Sequence, residues 1–184
     1  MLKKKIMFDC NIFDEVLDDN MLVLLENNLD KYEYFIIPIQ EDELHNIPDY
    51  KKEKREKLLD LIVRLDMKKV YISPAIYGTC KYGQTKYGGD RSVYNKILFH
   101  TKSNIDDSLI ASSAIREGCI VITNDIRFYE KMKFNNYPVM NFKEFMTDVR
   151  SNAQEWKNNR IGVLWAKRED FWFFALRYIG LRKI

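Results

Sequence analysis

The sequence predicts an α/β domain in which a parallel sheet lies between layers of helices. Short apolar runs that are typical of buried strands alternate along the chain with longer segments of helical periodicity. Two of these runs, at residues 6–8 and 120–122, are followed closely by an aspartate, Asp9 and Asp125 respectively. Because strands that are buried on both faces read as continuous apolar runs, we expect both runs to lie inside a parallel sheet.

The first part of the chain contains three of the expected strands. Pro38 marks the exit of the second strand, and Pro48 limits the short helix that follows it. Asp49 is a good N-cap for a charged helix with an inner stripe of leucine and isoleucine. In chain order the expected elements are a strand at 6–8, a helix at 12–25 that breaks near 18–20, a strand at 34–37, helices at 40–46 and 49–66, and a strand at 70–72.

A segment rich in tyrosine and glycine interrupts this alternation. Tyr-Gly pairs begin at Tyr77, Tyr82 and Tyr87, and four of the seven glycines of the chain lie in this segment. Such a density of glycine predicts a mobile loop. The regular pattern then resumes with a capping box at 103–106 and a helix that Gly118 is expected to end. The remaining expected elements are strands at 119–123 and 138–140 and a helix at 142–150.

Length and charge predict how the chain is organised. We expect residues 1–149 to form one α/β domain, with the Tyr/Gly-rich loop inserted at about 77–103. Residues 150–184 contain eight Lys or Arg and three Asp or Glu, a net charge of +5 in a chain whose total is +3. This basic, aromatic extension has apolar residues at helical spacing. We expect a helix that covers the core, forms a homodimer or partner-protein interface, or binds RNA.

Composition excludes several classes of site. Cys10, Cys80 and Cys119 form no C-x-x-C pair, and with only His45 and His100 beside them no zinc-binding spacing exists. A scattered, odd set of cysteines is typical of a reducing compartment, so a cytoplasmic location is expected. No apolar stretch is long enough and free enough of charge to cross a membrane, and no membrane partner is expected.

Four acidic residues occupy positions that would bring them together. Asp9 and Asp125 follow strands, whereas Glu43 and Asp107 lie in the first turns of helices. Segments that follow parallel strands share one edge of a sheet, and crowded carboxylates there would need a cation to offset their repulsion. The alternative is a separate role for each, as a helix cap, a first-turn acid or a solvated surface charge.

Short motifs surround these four acids. They are Asp9-Cys10-Asn11; residues 38–44, which end in Glu43-Leu44; Asp107-Ser108-Leu109-Ile110-Ala111; and Thr123-Asn124-Asp125 with Phe128 three residues later. In this order they resemble the D-x-N, E-L, D-x-L-I-A and T-x-D-x-x-F motifs of PIN-domain nucleases, a family that includes the VapC-like ribonucleases. The resemblance covers roughly residues 5–145, and the four motifs in order are more specific than any one of them.

The resemblance implies a three-layer α/β/α fold with a central five-stranded parallel sheet. It also implies that Asp9, Glu43, Asp107 and Asp125 bind Mg²⁺ or Mn²⁺ and cleave RNA to a 3′-hydroxyl and a 5′-phosphate. Hard divalent cations prefer such oxygen ligands, so the chemistry of the residues agrees with this implication. Asn11 and Thr123 resemble the polar residues that orient such ligands. The family further implies a toxin with an antitoxin as its protein partner.

Two assignments stay open at the level of sequence. Glu41 and Asp42 neighbour Glu43, and Asp106 neighbours Asp107, so a shift in register would exchange them; Glu43 and Asp107 agree best with the motifs.

In the inserted loop, cations and tyrosine rings would bind the phosphates and bases of a single strand, unless the segment is only a surface loop. The residues in question are Lys81, Tyr82, Lys86, Tyr87 and Arg91.

Other functions remain as alternatives. A non-catalytic RNA- or protein-binding module would keep the fold and bind through its basic extension. A haloacid-dehalogenase-like phosphatase would also place an aspartate after the first strand, but it needs a second acid where Asn11 stands. A phosphate-accepting receiver domain would need an aspartate after the third strand, where Ser73-Pro74 stands.

Overall fold

The computed structural model describes residues 2–17, 19–86, 91–98 and 105–151. The chain divides into two compact units, residues 1–146 and 147–184. Three predicted features lie wholly or partly outside the described residues: Tyr87, the capping box that begins at Ser103, and the extension from residue 152 onward. The predicted domain limits therefore stay predictions.

A five-stranded, wholly parallel sheet forms the centre of the first unit. Its spatial order is β3-β2-β1-β4-β5, so the two strands that precede Asp9 and Asp125, β1 and β4, are neighbours in the middle. The predicted parallel α/β fold is confirmed. The strands are β1 (Lys4–Phe8), β2 (Tyr32–Ile36), β3 (Lys68–Lys69), β4 (Ile120–Ile122) and β5 (Val139–Met140).

Helices connect the strands and cover the sheet. The helices are α1 (Ile12–Val16), α2 (Asp19–Glu26), α3 (Pro38–His45), α4 (Lys52–Arg64), α5 (Ser92–Leu98), α6 (Ile105–Glu117), α7 (Ile126–Phe134) and α8 (142–151), with a 3₁₀ turn at Asp49–Lys51. No helix among the described residues is long and apolar enough to cross a membrane. The predicted break of the first helical segment near residues 18–20 falls between α1 and α2.

Alternation of side chains along the strands builds a core on each face of the sheet. Met7 of β1 belongs to a cluster with Val121 of β4 and the buried face of α6. The next residue, Phe8, packs instead against other aromatic rings, including those of Tyr34 and Phe145, at centroid distances of 5.4 and 5.8 Å. Because both faces of β1 are buried, its run of apolar residues is continuous and stops only at the sheet edge, at Asp9.

The third strand lies two residues earlier than its apolar pattern predicts. β3 consists of Lys68 and Lys69, and the Lys68 ammonium group contacts the Glu33 carboxylate of β2. Charged residues are common on edge strands, where they discourage pairing with other chains. Ile72, expected inside the strand, forms an isolated bridge with Thr85 instead.

The end of the described part of the Tyr/Gly-rich segment pairs with the chain that follows β3, and the mobility of the loop stays a prediction. The backbone N–H of Ile72 donates to the carbonyl of Gln84 at 2.9 Å, and that of Lys86 donates to the carbonyl of Ile72 at 3.1 Å. Later in the predicted insertion, the chain forms α5, whose Tyr94 and Ile97 are buried in the core. The local sequence does not reveal these long-range contacts.

Two helix limits show how well local signals work. Gly118 ends α6 as predicted, with a φ of 72° that favours glycine, and the N–H of Cys119 returns to the carbonyl of Ala114. Asp49 was expected to cap a helix, which is wrong: it begins the 3₁₀ turn, and its carboxylate pairs with Arg55 at 2.9 Å. The N–H of Lys51 bonds the carbonyl of Pro48, and this bond delays the α-helix to residue 52.

Candidate active site

The four predicted acids lie beyond the carboxyl ends of the strands. Asp9 follows β1 directly, and Asp125 follows β4 and caps α7. Asp107 lies in the first turn of α6, and Glu43 lies in α3. Burial raises the pKa of Asp9 and of Asp107 most, and like charges add to it: those of Asp125 and Glu43 for Asp9, and those of Asp9 and Asp125 for Asp107. The fold therefore brings acids from four separate elements into mutual electrostatic range, and we call them the acid cluster.

Asp9 is the most buried member, with 6% of its surface exposed. Burial raises its pKa, because the charged form loses hydration. Two hydrogen bonds oppose this effect: the Thr123 hydroxyl donates to Oδ2 at 2.7 Å, and the Cys10 N–H donates to Oδ1 at 2.7 Å. Each carboxylate oxygen has two lone pairs, so both oxygens keep a lone pair for a further partner.

A chain of hydrogen bonds connects Asp9 to Asp125. The hydroxyl oxygen of Thr123, which donates to Asp9, accepts the backbone N–H of Asp125 at 3.0 Å. Asp125 Oδ1 accepts the N–H of Phe128 at 2.9 Å, the bond expected of a helix N-cap. The helix-cap alternative is thus correct for the position of Asp125, but the cap uses only one carboxylate oxygen.

Asn11 joins the same two strand exits. Its side-chain oxygen accepts the N–H of Asn124 at 3.4 Å, a long bond. The Asn124 side-chain oxygen in turn accepts the N–H of Phe142 at 3.2 Å. Asn11 and Thr123 therefore hold the segments that carry Asp9 and Asp125 in register, as ligand-orienting residues would be expected to do.

The ionised form of Asp107 is strongly disfavoured in the folded protein. Burial, followed by the charges of Asp9 and Asp125, raises its pKa to about 6, and the ammonium group of Lys131 opposes the rise. Lys131 donates to the carbonyl of Ile97 at 3.2 Å, which fixes it between α7 and α5. Burial and the charge of Glu43 also raise the pKa of the neighbouring Asp106, so both acids of this helix start face the acid cluster.

The three acids of α3 face different partners. Glu43 interacts with the thiol of Cys10, whose pKa is raised first by burial and then by this contact. Glu41 pairs with Lys69, and Asp42 pairs with Lys81 at 2.7 Å. Of the three, Glu43 is therefore the one that the fold directs toward Asp9.

Buried Gln40 fixes this orientation of α3. Its side-chain amide donates to the carbonyl of Phe8, and its side-chain oxygen accepts the N–H of Ile37 at 3.1 Å. The first turn of α3 is thereby attached to the end of β1, one residue before Asp9. A glutamine within a charged segment gives no sequence signal for such a role, and the same is true of Cys10 and Lys131.

The carboxylate oxygens of the acid cluster are ligands that a hard divalent cation prefers, although they do not converge on one position. Among the described residues, no three His, Cys, Asp or Glu side chains lie close enough together to hold one ion. Carboxylates without a cation between them repel each other and stand apart. Mg²⁺ itself takes one or two protein carboxylates and completes its shell with water and phosphate oxygens. The free lone pairs of buried Asp9, beside other acids, therefore fit such an ion.

The described loop residues that were predicted to bind RNA have different surroundings, and their role stays a prediction. Lys81 is engaged by Asp42, whereas the ring of Tyr82 is fully exposed at 98%. Lys86 is exposed, and the Arg91 guanidinium donates to the carbonyl of Ala75 at 3.4 Å. Tyr87 lies outside the described residues.

Comparison with known families agrees with this geometry. The family model of the PIN domain matches residues 6–133, which include all four predicted acids. The chain belongs to the PIN domain family. PIN domains are generally nucleases, that is, hydrolases of phosphodiester bonds. The suspected resemblance is confirmed, whereas the role of each acid stays a prediction.

Solved structures show the same PIN fold. One is a chain of VapBC2 from Rickettsia felis, in a crystal structure of VapBC2 bound to a DNA fragment from its promoter. It is 19% identical to this chain, and the match has a TM-score of 0.50 and covers 74% of this chain and 98% of that one. PAE2754 from Pyrobaculum aerophilum is 11% identical, with a TM-score of 0.51 over 82% of this chain and 99% of that one. A search of curated proteins found no match.

Proposed function

We propose that this PIN domain is an endoribonuclease that depends on Mg²⁺ or Mn²⁺ and hydrolyses phosphodiester bonds of single-stranded or structured RNA. The acid cluster is the observation that carries the proposal. Asp9, Glu43, Asp107 and Asp125 come from four elements, and several of them disfavour each other's ionisation. Such an arrangement costs folding stability, which a domain with only a structural role would have no reason to retain.

Asp9, Glu43, Asp107 and Asp125 would hold the metal. When bound, the cation would lower the pKa of a water molecule and stabilise the charge on the phosphoryl oxygens. The Thr123 hydroxyl and the Cys10 N–H hold both oxygens of Asp9 in one orientation. The cap bond from the Phe128 N–H holds one carboxylate oxygen of Asp125. The chain thus supplies rigid ligands, which metal sites require.

The wider biological role is part of the proposal. The similarity in fold to a VapBC2 chain supports a toxin that is controlled by an antitoxin, and a homodimer is compatible with this role. The three free cysteines support the cytoplasm as its location. We further propose a division into a nuclease domain, residues 1–149, and a basic extension, residues 150–184, that contributes to RNA or partner binding.

Cleavage of a 5′-labelled single-stranded RNA by the full-length protein tests the proposal. We expect cleavage with Mn²⁺ or Mg²⁺ and none with EDTA. Asp9→Asn should reduce the rate by at least about 100-fold, because an amide is a poorer ligand for a cation that stabilises the transition state. Asp60→Asn is the matched control, since Asp60 is an exposed acid of α4 outside the cluster.

Two results would contradict the proposal. Equal cleavage by the parent and by Asp9→Asn would remove Asp9 from the mechanism and point to a contaminating nuclease. Absence of metal-dependent cleavage of any RNA would favour the alternative of a non-catalytic binding module.

A further inference from the structure

A second site lies on the other side of α3 from the acid cluster. An open groove of about 520 Å³ separates α3 from the segment that follows β3 and from the docked Tyr/Gly-rich loop. Asp42 and His45 line the α3 wall, Tyr71 follows β3, and Gln84 belongs to the loop. Gly83 and Gln84 of the loop form part of the groove, so local sequence patterns alone do not reveal it.

Two lysines contact the carboxylates of the α3 wall: Lys69, which lines the groove itself, and Lys81, which belongs to the loop beside it. Lys69 contacts Glu41, and Lys81 contacts Asp42. The side chains of Lys69 and Lys81 are 58% and 66% exposed, and exposed ion pairs contribute little to stability. A phosphate that approached the groove could therefore recruit either lysine at small cost.

Tyr71 gives the groove a flat aromatic surface. Its side chain is 58% exposed although it lies next to buried Ile72. Aromatic rings beside cations are the usual means of binding single-stranded nucleic acid, because every base can stack on a ring. Gln84 adds an amide, already bonded to Asp42 at 3.1 Å, that has remaining capacity for a hydrogen bond to a base edge.

The groove and the candidate active site lie at the same edge of the sheet. Pro38, which follows β2, forms part of its lining, and β2 lies between β1 and β3. With neighbouring strands about 4.8 Å apart, β3 is about 10 Å from the strand of Asp9. α3 contributes Glu43 to the acid cluster and Glu41 and Asp42 to the groove. One strand of RNA that crosses this edge would contact both sites.

We infer that this groove binds a nucleotide of the single-stranded RNA substrate, with its base on Tyr71 and its phosphate near Lys69 and Lys81. The inference rests on the proposed nuclease function for its biological meaning. Binding in the groove itself needs neither the metal nor the acid cluster, and it can be measured without cleavage.

Fluorescence anisotropy with a labelled single-stranded oligoribonucleotide in EDTA tests the inference on the full-length protein. Tyr71→Ala should weaken binding about 10-fold, because one stacked base is lost. Tyr71→Phe should retain the parent affinity. Tyr50→Ala is the matched control: Tyr50 is 81% exposed and has Lys51 5.5 Å from its ring centroid, but it does not line the groove.

A second experiment distinguishes RNA binding in the groove from the function of the acid cluster. Binding of Mn²⁺ alone, measured by calorimetric titration, should be the same in the parent and in Tyr71→Ala. Absence of Mn²⁺ binding by the parent would count against the proposed function, while the difference in RNA binding would still support the groove. Duplex RNA of the same sequence should show no dependence on Tyr71, since its bases are not available for stacking.

Nuclear magnetic resonance locates the bound base directly. Titration with each of the four nucleoside monophosphates should shift the backbone amide signals of Val70, Gly83 and Gln84. Equal RNA affinity of Tyr71→Ala and Tyr50→Ala would overturn the inference. So would nucleotide-dependent shifts confined to other parts of the protein, or no RNA binding at all.

Discussion

The two faces of α3 carry acidic residues whose neighbours differ in charge. On one face, Asp42 is paired with Lys81 and Gln84, and these contacts lower its pKa. On the other, Glu43 faces the acid cluster, in which burial and like charges raise the pKa of Asp9 and of Asp107. Asp42, which is paired with a lysine, attaches the loop to the rest of the protein. The acids of the cluster repel each other, and this repulsion favours the binding of a cation. Residue type alone does not distinguish the two roles.

The sharpest test of this comparison exchanges one acid on each face for its amide. Glu43→Gln should reduce metal-dependent RNA cleavage by at least about 100-fold, since it removes a charge from the acid cluster. Glu41→Gln, two residues away on the same helix, should change the rate less than about 3-fold. Rates measured at saturating Mn²⁺ on one RNA check both variants. A larger loss in Glu41→Gln would mean that the register of the site is shifted.

The next effect concerns the hydroxyl that connects two acids. Thr123→Val removes the bond to Asp9 Oδ2 and leaves the N–H of Asp125 without its acceptor. We expect about 10-fold slower cleavage and weaker metal binding, as is usual for residues that orient a ligand. Without the hydrogen bond the pKa of Asp9 should rise. As the pH is lowered, the rate should therefore begin to decline at a higher pH than in the parent. A rate and a pH profile identical to those of the parent would contradict the orienting role.

Asp107 should show the stability cost of the acid cluster. Its pKa is about 6 in the folded protein and about 4 when unfolded, so folding disfavours its ionised form. The penalty is absent below pH 4 and grows as the pH rises through 6. In EDTA at pH 7, Asp107→Asn should therefore raise the free energy of unfolding by about 1–2 kcal/mol, after allowance for its partial exposure.

Urea unfolding at several pH values measures this difference. The gain of Asp107→Asn should shrink as the pH falls from 7 toward 4, where the parent carboxyl is protonated in both states. A variant that is less stable at pH 7, or a gain that does not depend on pH, would show that Asp107 is not under electrostatic strain.

The smallest effect is expected on the paired face. Asp42→Asn removes the ion pair with Lys81, in which the carboxylate is 34% exposed, so the loss of stability should be at most about 1 kcal/mol. Because the pKa of Asp42 is lowered, this contribution exists above pH 4 and is lost as the pH falls further. Hydrogen exchange at the Ile72 and Lys86 amides should become faster. Unchanged exchange would mean that the backbone pairing alone orders the loop.

The central features of the fold could be predicted because their signals are local. Continuous apolar runs identify β1 and β4, and the residues that interrupt them identify Asp9 and Asp125. Gly118 ends α6 for the same kind of local reason. The predictions from sequence were less accurate wherever long-range contacts decide the structure. β3 is a charged edge strand, and α5 forms because Tyr94 and Ile97 find a core that the local sequence does not reveal.

The candidate site shows the same division. The four acids could be proposed from their positions after strands and at helix starts. Their supporting residues could not, because Gln40, Cys10 and Lys131 acquire their roles only through contacts with distant segments. The groove beside Tyr71 likewise depends on the loop that docks through Asp42 and Ile72.

Calorimetric titration of Mn²⁺ into the metal-free, full-length protein at pH 7 tests most directly whether the acid cluster is a cation site. We expect one saturable binding event that is lost in Asp9→Asn and retained in Asp42→Asn, the acid of the paired face. No binding by the parent, or the same binding by the parent and by Asp9→Asn, would contradict the existence of a metal site at this edge of the sheet.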